Sequence, residues 1–248
     1  MAVTIPIRQR KKRRIAKATG RGDMAETRLG VFAKYWQPGE VKTRLAATIG
    51  EKPASQIYRA FVTALLDRLA QCGDRRVLVY WPPERCEAFS EFVVHRPFEL
   101  EPQSEGDLGL RMKRYFETAL AAGDRRVVLI GSDSPTLPVD YVQQAFDRLQ
   151  HQPVVLGPSE DGGYYLIGVA ENVPPIFDDI AFSSESVWQE TTARLDAAGV
   201  DYATLPMWYD VDQATDLDRL RKELVALASK DSALLELRRA LERILPEE

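Results

Sequence analysis

The sequence predicts one α/β domain built around a largely parallel sheet. Short apolar runs alternate along the chain with amphipathic stretches of helical periodicity, a pattern typical of βαβ units. The clearest run, residues 127–131, is continuously apolar, as expected of a strand in the middle of a parallel sheet. The 248 residues contain no internal repeat or linker, and this length suits a single large domain.

Each predicted strand is a short apolar run that ends at a turn signal. The first is followed by a loop with Pro38 and Gly39, and Pro82 stops the second. The predicted strands cover residues 29–33, 77–81, 94–100 (a weak extended segment), 127–131, 154–156, 164–168 and 202–206 (extended).

The predicted helices carry apolar residues at spacings of three and four. Ile57, Phe61 and Leu65 share one face of the first helix, which Gly73 ends. The predicted helices cover residues 53–71, 84–92, 107–122, 138–150, a segment to 198 capped by Ser183 or Ser184, and most of the chain from Asp212 or Ala214 onward. The apolar stripes of the last helices predict a layer that covers the sheet or, alternatively, the surface of a homodimer.

Charge divides the chain into two unequal parts. It has 33 Lys and Arg against 37 Asp and Glu, yet residues 1–22 contain eight basic side chains and no acid, so the remainder has a net charge of −12 (25 − 37). A body this acidic is a poor candidate for broad binding to nucleic acid. We therefore expect a disordered basic tail over residues 1–23 and a folded domain over 24–248. The tail is either an extension upstream of a natural start at Met24 or a segment that binds nucleic acid or anionic lipid.

The expected location is the cytoplasm. No apolar run approaches the roughly 20 residues that a membrane helix requires. The basic run at the start is not followed by the apolar region of a secretory signal. Cys72 and Cys86 lie 14 residues apart and form neither a CxxC pair nor a zinc motif, which favours two reduced thiols.

A loop with cationic side chains follows the first predicted strand. It contains Gly39, Lys42 and Arg44 close to a helix start. Backbone N–H groups and cations in such a loop suit an anionic ligand, although a turn with solvated cations is the alternative. The loop matches neither the Walker A nor the GxGxxG pattern.

Carboxylates follow two later segments. Asp133 comes directly after the most apolar strand, and Asp210 and Asp212 lie in a segment before a helix. Mg²⁺ typically takes one or two protein carboxylates together with phosphate oxygens and water, so these acids could form one metal site. The alternatives are a solvated turn at Asp133, an N-cap at Asp212 and a favourable first-turn acid at Asp216.

Two further loops contain polar residues beside glycine. Glu160 and Asp161 precede Gly162 and Gly163 and a predicted strand; this pattern fits a simple hairpin turn or carboxylates at the end of the sheet. The other loop, around a helix start, could hold a base, ribose or phosphate, and helix entry explains it nearly as well. Its candidate residues are Gln103, Asp107 and Arg111.

Taken together, these loops resemble a known family. The ordered motifs KTRL, GDLGLRM, GSDSPTL, GPSEDGGYYLIG and DVDQATDL, between residues 29 and 220, are similar to the radical-SAM and selenodomain-associated bacterial transferases, a DUF2064-like group. That group is classed with GT-A glycosyltransferases and is similar to cofactor-biosynthesis nucleotidyltransferases. The resemblance implies a single three-layer α/β/α domain of the GT-A type.

The resemblance also implies roles for individual residues. Asp133 stands at the metal-binding acid of the DxD motif, here Ser-Asp-Ser with one carboxylate, and Asp212 matches the late acid that completes metal binding in related nucleotidyltransferases. The metal would be Mg²⁺ or Mn²⁺. Asp161 or Glu160 would orient or deprotonate the acceptor. The nucleotide and its phosphates would be bound by Gly39, Lys42, Arg44, Gln103, Asp107 and Arg111, and the substrate by Gly162 and Gly163.

The expected function is therefore a metal-dependent transferase with a nucleotide-activated donor. The family grouping favours transfer of a sugar from a nucleotide sugar to a small-molecule acceptor. One alternative is nucleotidyl transfer with release of pyrophosphate, and another is a degenerate domain that binds nucleotide without turnover.

Overall fold

The computed structural model describes residues 26–178, 180–182 and 184–246. The predicted basic tail, the Met24 start and the cap at Ser183 lie outside these residues. Of the helices that are described, none combines the length and the apolar character needed to cross a bilayer.

One sheet of seven strands runs through the described part of the chain. The strands are Thr27–Lys34 (β1), Arg75–Trp81 (β2), Glu99–Pro102 (β3), Arg126–Ile130 (β4), Val154–Pro158 (β5), Tyr164–Ala170 (β6) and Tyr202–Thr204 (β7). They lie in the order β3-β2-β1-β4-β6-β5-β7. All neighbours are parallel except β6, which is antiparallel to both β4 and β5. The largely parallel α/β sheet is confirmed.

Helices cover both faces of this sheet. They are Thr43–Ile49 (α1), Glu51–Arg68 (α2), Cys86–Val93 (α3), Leu108–Ala121 (α4), Val139–Arg148 (α5), Val187–Ala198 (α6), Ala214–Leu227 (α7) and Ser232–Ile244 (α8), with a 3₁₀ turn at Pro83–Arg85. Apolar residues of α2, α3 and α5 pack on one face of the sheet, and those of α4 and α6 pack on the other. The result is the expected three-layer α/β/α domain.

The last two helices do not lie on the sheet. Leu220 and Leu224 of α7 and Leu237 and Leu241 of α8 form a separate core with Phe61 and other residues on the outer side of α1 and α2. The prediction of a covering layer on the sheet is wrong in this respect, because α2 already shields that face and presents a second apolar side.

The hairpin between β5 and β6 sets where one of the candidate loops lies. β5 and β6 pair directly as antiparallel neighbours, from Val154 opposite Val169 to Pro158 opposite Tyr164. The hairpin predicted as one explanation of Asp161 and Gly162 is therefore confirmed. Because β5 runs parallel to β7 and β6 opposes β4, the turn between them lies at the carboxyl edge of the sheet, where β1 and β4 also end.

A buried ion-pair cluster lies towards the opposite edge of the sheet. Arg28, at the start of β1, is 1% exposed and forms ion pairs with Glu101 and with Asp124, the latter at 3.0 Å between Nη1 and Oδ2. Its Nε donates to the hydroxyl of Tyr115 at 3.3 Å. The guanidinium is thus paired on several sides, which is what allows a charge to be buried here.

We expect the loss of Asp124 to destabilise the fold strongly. Asp124→Ala leaves Arg28 buried with one carboxylate partner fewer, at a cost of about 3 kcal/mol in the free energy of unfolding. Glu26→Ala is the matched control, because Glu26 is 63% exposed in its pair with Arg126 and such a pair contributes less than about 1 kcal/mol. Urea unfolding of both variants checks this, and equal losses would contradict it.

Candidate functional site

A cavity of about 540 Å³ opens at the carboxyl edge of the sheet, between β1 and β4. Its volume is within the roughly 300–1,000 Å³ of small-molecule sites. It is lined by residues of the β1–α1 loop, the start of α4, the loop after β4 and the segment before α7. Among these are Phe32, Lys34, Lys42, Tyr58, Gln103, Leu108, Arg111, Gly131, Asp133 and Asp212.

Lys42 and two predicted metal ligands meet at this cavity. The Nζ of Lys42 lies 2.5 Å from Oδ1 of Asp133 and 2.8 Å from Oδ1 of Asp212. The Lys42 side chain is 2% exposed, whereas the two carboxylates are 43% and 39% exposed. Burial alone would lower the pKa of Lys42, but the charges of Asp133 and Asp212 raise it above its ordinary value. The ammonium is therefore charged at neutral pH.

The backbone of Lys42 has an unusual conformation. With φ 49° and ψ 44° it is left-handed, immediately before α1. Non-glycine residues rarely adopt this conformation, and where they do the surrounding contacts must hold it. Buried Val41 and Leu45 anchor the chain on either side of Lys42.

Asp212 is not the N-cap of α7. The helix begins one residue later than that alternative requires, with Gln213 at the N-cap position. The Asp216 carboxylate accepts hydrogen bonds from the backbone N–H groups of Gln213, at 2.8 Å, and Asp212, at 3.0 Å. Asp216 therefore has the first-turn role that the sequence suggested, and the Asp212 side chain is free to pair with Lys42.

Asp210 links two of the candidate loops. Its carboxylate accepts hydrogen bonds from the hydroxyls of Ser134 at 2.5 Å and Ser159 at 3.1 Å. Burial and the charge of Asp133 raise the pKa of Asp210 to about 6, and Asp161 contributes to the increase. The sequence indicated Asp210 as a metal ligand, whereas these contacts give it a structural partner on each oxygen.

The sequence pattern does not mark the serines on either side of Asp133 as functional residues. Ser132 shares a 2.7 Å hydrogen bond with the buried hydroxyl of Tyr58, which also accepts from the backbone N–H of Lys34 at 2.9 Å. Burial and the Asp133 charge raise the pKa of Tyr58 to about 12, so the phenol is protonated at neutral pH. The Ser-Asp-Ser sequence was the only signal for these contacts.

Asp161, Gly162 and Gly163 form the turn between β5 and β6. The Asp161 carboxylate accepts from the backbone N–H of Gly163 at 3.0 Å, and the N–H of Trp188 in α6 donates to the carbonyl of Gly162 at 2.8 Å. Gly162 has φ 90°, and a Cβ at this position would overlap the carbonyl oxygen of Glu185. Both conditions require glycine.

Three other predicted residues lie outside the cavity. Glu160 forms an exposed ion pair with Arg219 of α7, at 2.8 Å. Arg44 lines a separate groove of about 400 Å³ beside the start of α7. Gly39 is exposed in the turn before α1. The structure thus brings Lys42, Asp133 and Asp212 together. Glu160, Arg44 and Gly39 do not line the cavity, and neither do the turn residues Asp161, Gly162 and Gly163.

Gln103 and Arg111 line the cavity, whereas Asp107, directly before α4, does not. The Gln103 amide is buried and donates to the carbonyl of Val79 at 3.0 Å, while Asp107 caps α4 by accepting from the N–H of Leu110 at 2.8 Å. Arg111 lies over the ring of Trp81, 3.9 Å from its centroid, and lines the cavity. Only Arg111 of these three presents a charged group to a ligand, and the others position the wall.

The two carboxylates are compatible with a divalent cation shared with a ligand. Among the described residues there is no group of three or more His, Cys, Asp or Glu that could enclose a metal. Asp133 and Asp212 nevertheless reach one common cation, the Lys42 ammonium, and both are partly exposed. This suits Mg²⁺ or Mn²⁺ that keeps other positions for phosphate and water, as Mg²⁺ usually does.

Comparison with known proteins gives a family and a fold. The family described as uncharacterized protein conserved in bacteria (DUF2064) matches residues 65–184. A structure named as a candidate nucleotide-diphospho-sugar transferase, from Desulfovibrio desulfuricans G20, is 36% identical to this chain with a TM-score of 0.80. The alignment covers 89% of this chain and 98% of that one. A search of curated proteins finds no match.

More distant structures share the fold. A cytidylyltransferase from Leptospira borgpetersenii is 10% identical with a TM-score of 0.53, covering 90% of this chain and 98% of that one. A 4-diphosphocytidyl-2C-methyl-D-erythritol synthase from Anaerococcus prevotii DSM 20548 is 9% identical with a TM-score of 0.52, covering 79% and 97%. These likenesses identify the architecture alone.

We expect alanine to be tolerated at one glycine of the turn and not at the other. Gly162→Ala forces an unfavourable φ and a clash with the Glu185 carbonyl, which costs roughly 2 kcal/mol or more. Gly163→Ala brings its Cβ to 3.3 Å from the Asp161 carboxylate at an ordinary φ, and a loss below about 1 kcal/mol is expected. Thermal unfolding of the pair measures this difference; a larger loss for Gly163→Ala would contradict the assigned turn.

Proposed function

The chain belongs to the DUF2064 family of bacterial proteins, and from that premise we propose that it is a metal-dependent transferase acting on a nucleotide-activated donor. The observation that carries this proposal is the meeting of Lys42, Asp133 and Asp212 at a cavity large enough for a nucleotide. We favour a nucleotide sugar as donor and a small molecule as acceptor, since the relative from Desulfovibrio carries the name of a nucleotide-diphospho-sugar transferase.

The walls of the cavity supply cations for the phosphates of a donor. Lys42, with its charged ammonium, and Arg111, with its guanidinium, both line the cavity. Both can donate hydrogen bonds to phosphate oxygens, and Arg111 is held in place by Trp81 and by its bond to the Gly106 carbonyl at 2.8 Å. Arg44, in the neighbouring groove, would extend this positive region towards α7.

Asp133 and Asp212 would hold Mg²⁺ or Mn²⁺ through their exposed oxygens. When bound, the cation would neutralise negative charge on the diphosphate that leaves the donor. Lys42 would add a fixed positive charge, already desolvated and oriented, at the same place. The two acids, through the cation, and the lysine would thus stabilise the negative charge that develops on the phosphates of the donor during transfer.

Asp161 is the candidate group for the acceptor. It lies on the exposed β5–β6 turn and is close enough to Asp210 for its charge to affect the pKa of that residue. Its carboxylate can accept a hydrogen bond from an acceptor hydroxyl and orient or deprotonate it. Glu160 is engaged by Arg219, so our proposal assigns this role to Asp161.

One observation favours nucleotidyl transfer as the second candidate. The loop after β4 offers a single acid, and the other carboxylate comes from the segment before α7. By the family resemblance, Asp212 would correspond to the late acid that completes the metal site of nucleotidyltransferases. The reaction would then be attack at the α-phosphorus with release of pyrophosphate, instead of attack at the anomeric carbon with release of a nucleoside diphosphate.

We expect nucleotide binding to require both a divalent cation and Asp133. Isothermal titration with nucleoside diphosphates and triphosphates should show binding in the presence of Mn²⁺ or Mg²⁺. Asp133→Ala should lose the metal-dependent part of nucleotide binding and stay folded, because Asp212 still pairs with the buried Lys42 ammonium. Asp201→Ala, at an exposed acid away from the cavity, is the control and should bind like the wild type. No nucleotide binding with either metal would reject the catalytic proposal.

The product distinguishes the two transfer reactions. In a screen of nucleotide sugars and nucleoside triphosphates with candidate acceptors, we expect a free nucleoside diphosphate, because sugar transfer breaks the bond between the anomeric carbon and the diphosphate. Chromatography of the nucleotide products with a parallel pyrophosphate assay measures both. Pyrophosphate without nucleoside diphosphate would establish nucleotidyl transfer instead.

A further inference from the structure

The Lys42 ammonium occupies the position between the two carboxylates that the proposed function gives to a metal. Its Nζ is within 2.8 Å of Oδ1 on both Asp133 and Asp212. A divalent cation bound to both of these oxygens, at roughly 2.1 Å from each, would lie within about 5 Å of Nζ, where the two positive charges repel each other. The lysine and a divalent cation therefore compete for this pair of oxygens.

The fold holds the lysine in this position. The side chain is 2% exposed, and Nζ lies 5.7 Å from the centre of the Phe61 ring. The backbone at residue 42 is left-handed and lies between buried Val41 and Leu45, so the buried position of Lys42 is maintained at a conformational cost. A solvated surface lysine would not require such an arrangement.

The charges at the site explain what would release the Lys42 ammonium from the two carboxylates. Two carboxylates and one ammonium leave one net negative charge, and a divalent cation added to them would crowd three positive charges around two carboxylates. Phosphate oxygens from a nucleotide supply the missing negative charge and a second partner for the ammonium. The cavity that would receive those phosphates is lined by Lys42 itself.

We propose that Lys42 is a tethered counter-ion that competes with the divalent cation for Asp133 and Asp212, and that it leaves them for the phosphates when a nucleotide binds. This rests on the proposed function and deepens it, because it specifies that the metal binds together with the nucleotide and not before it. The carboxylates stay paired while the site is empty, and they take up metal with the nucleotide. Metal alone binds weakly.

The test measures Mn²⁺ binding in the absence of nucleotide, and the electron paramagnetic resonance signal of free Mn²⁺ reports how much is bound. Lys42→Met removes the charge and retains most of the aliphatic length, and it should bind Mn²⁺ about tenfold more tightly than the wild type, or about 1.4 kcal/mol. Lys42→Arg retains the positive charge, and its Mn²⁺ binding should remain as weak as that of the wild type. In the double variant Lys42→Met, Asp133→Asn the increase in Mn²⁺ affinity should disappear, which would show that the added Mn²⁺ binds at this site.

Mn²⁺ affinity of Lys42→Met equal to or below that of the wild type would overturn the proposal. If that variant does not fold, the wild type provides the test through the ¹⁵N signal of the Lys42 ammonium, titrated with Mg²⁺. Displacement predicts a shifted or rapidly exchanging signal, and an unchanged signal at saturating Mg²⁺ refutes competition. If the wild type binds nucleotide with metal while these results are negative, only the competition fails; if it binds no nucleotide, the proposed function fails.

Discussion

The ion pairs of Lys42 with Asp133 and Asp212 are the interaction on which the candidate site depends. They join three segments that are far apart in sequence: the loop after β1, the loop after β4 and the segment before α7. Two carboxylates this close would repel each other without a cation between them. One buried ammonium removes that repulsion, and it also explains why the chain tolerates a left-handed backbone at residue 42.

The hydrogen bonds of Asp210 are the second interaction that holds these loops together. They also change the interpretation of the incomplete DxD motif. In Ser-Asp-Ser the flanking positions are not lost ligands, because Ser132 binds the Tyr58 hydroxyl and Ser134 binds Asp210. The backbone N–H of Val211 also donates to the carbonyl of Asp133 at 2.9 Å. The loop after β4 thus offers one acid to the cavity and uses its neighbours to fix that acid against α2 and the segment before α7.

The strands and helices were predictable from local patterns, and the contacts that matter at the site were not. Short apolar runs located β1, β2 and β4 to within a few residues, because a strand that is buried on both faces of a sheet is apolar at successive positions. Proximity to a strand end identified Lys42, Asp133 and Asp212 as candidates. Nothing in the local sequence distinguishes Arg44 from Lys42, although Lys42 is buried and Arg44 is exposed in the folded chain. The antiparallel direction of β6 was equally hidden, because a strand buried on both faces has the same apolar pattern in either direction.

The direction of β6 determines how the site is divided. Strand order proceeds from β1 outward to β2 and β3 on one side, and from β4 to β6, β5 and β7 on the other, so the order reverses between β1 and β4. Crevices at such a reversal are where open α/β sheets bind ligands, and Lys42 and Asp133 follow the two strands that border it. A hairpin at β5–β6 needs no crossover helix at this edge, and its turn lies there with Asp161 exposed. In the proposed function the β1–β3 half would bind the donor nucleotide and the hairpin half the acceptor, with the acids of the proposed metal site between them.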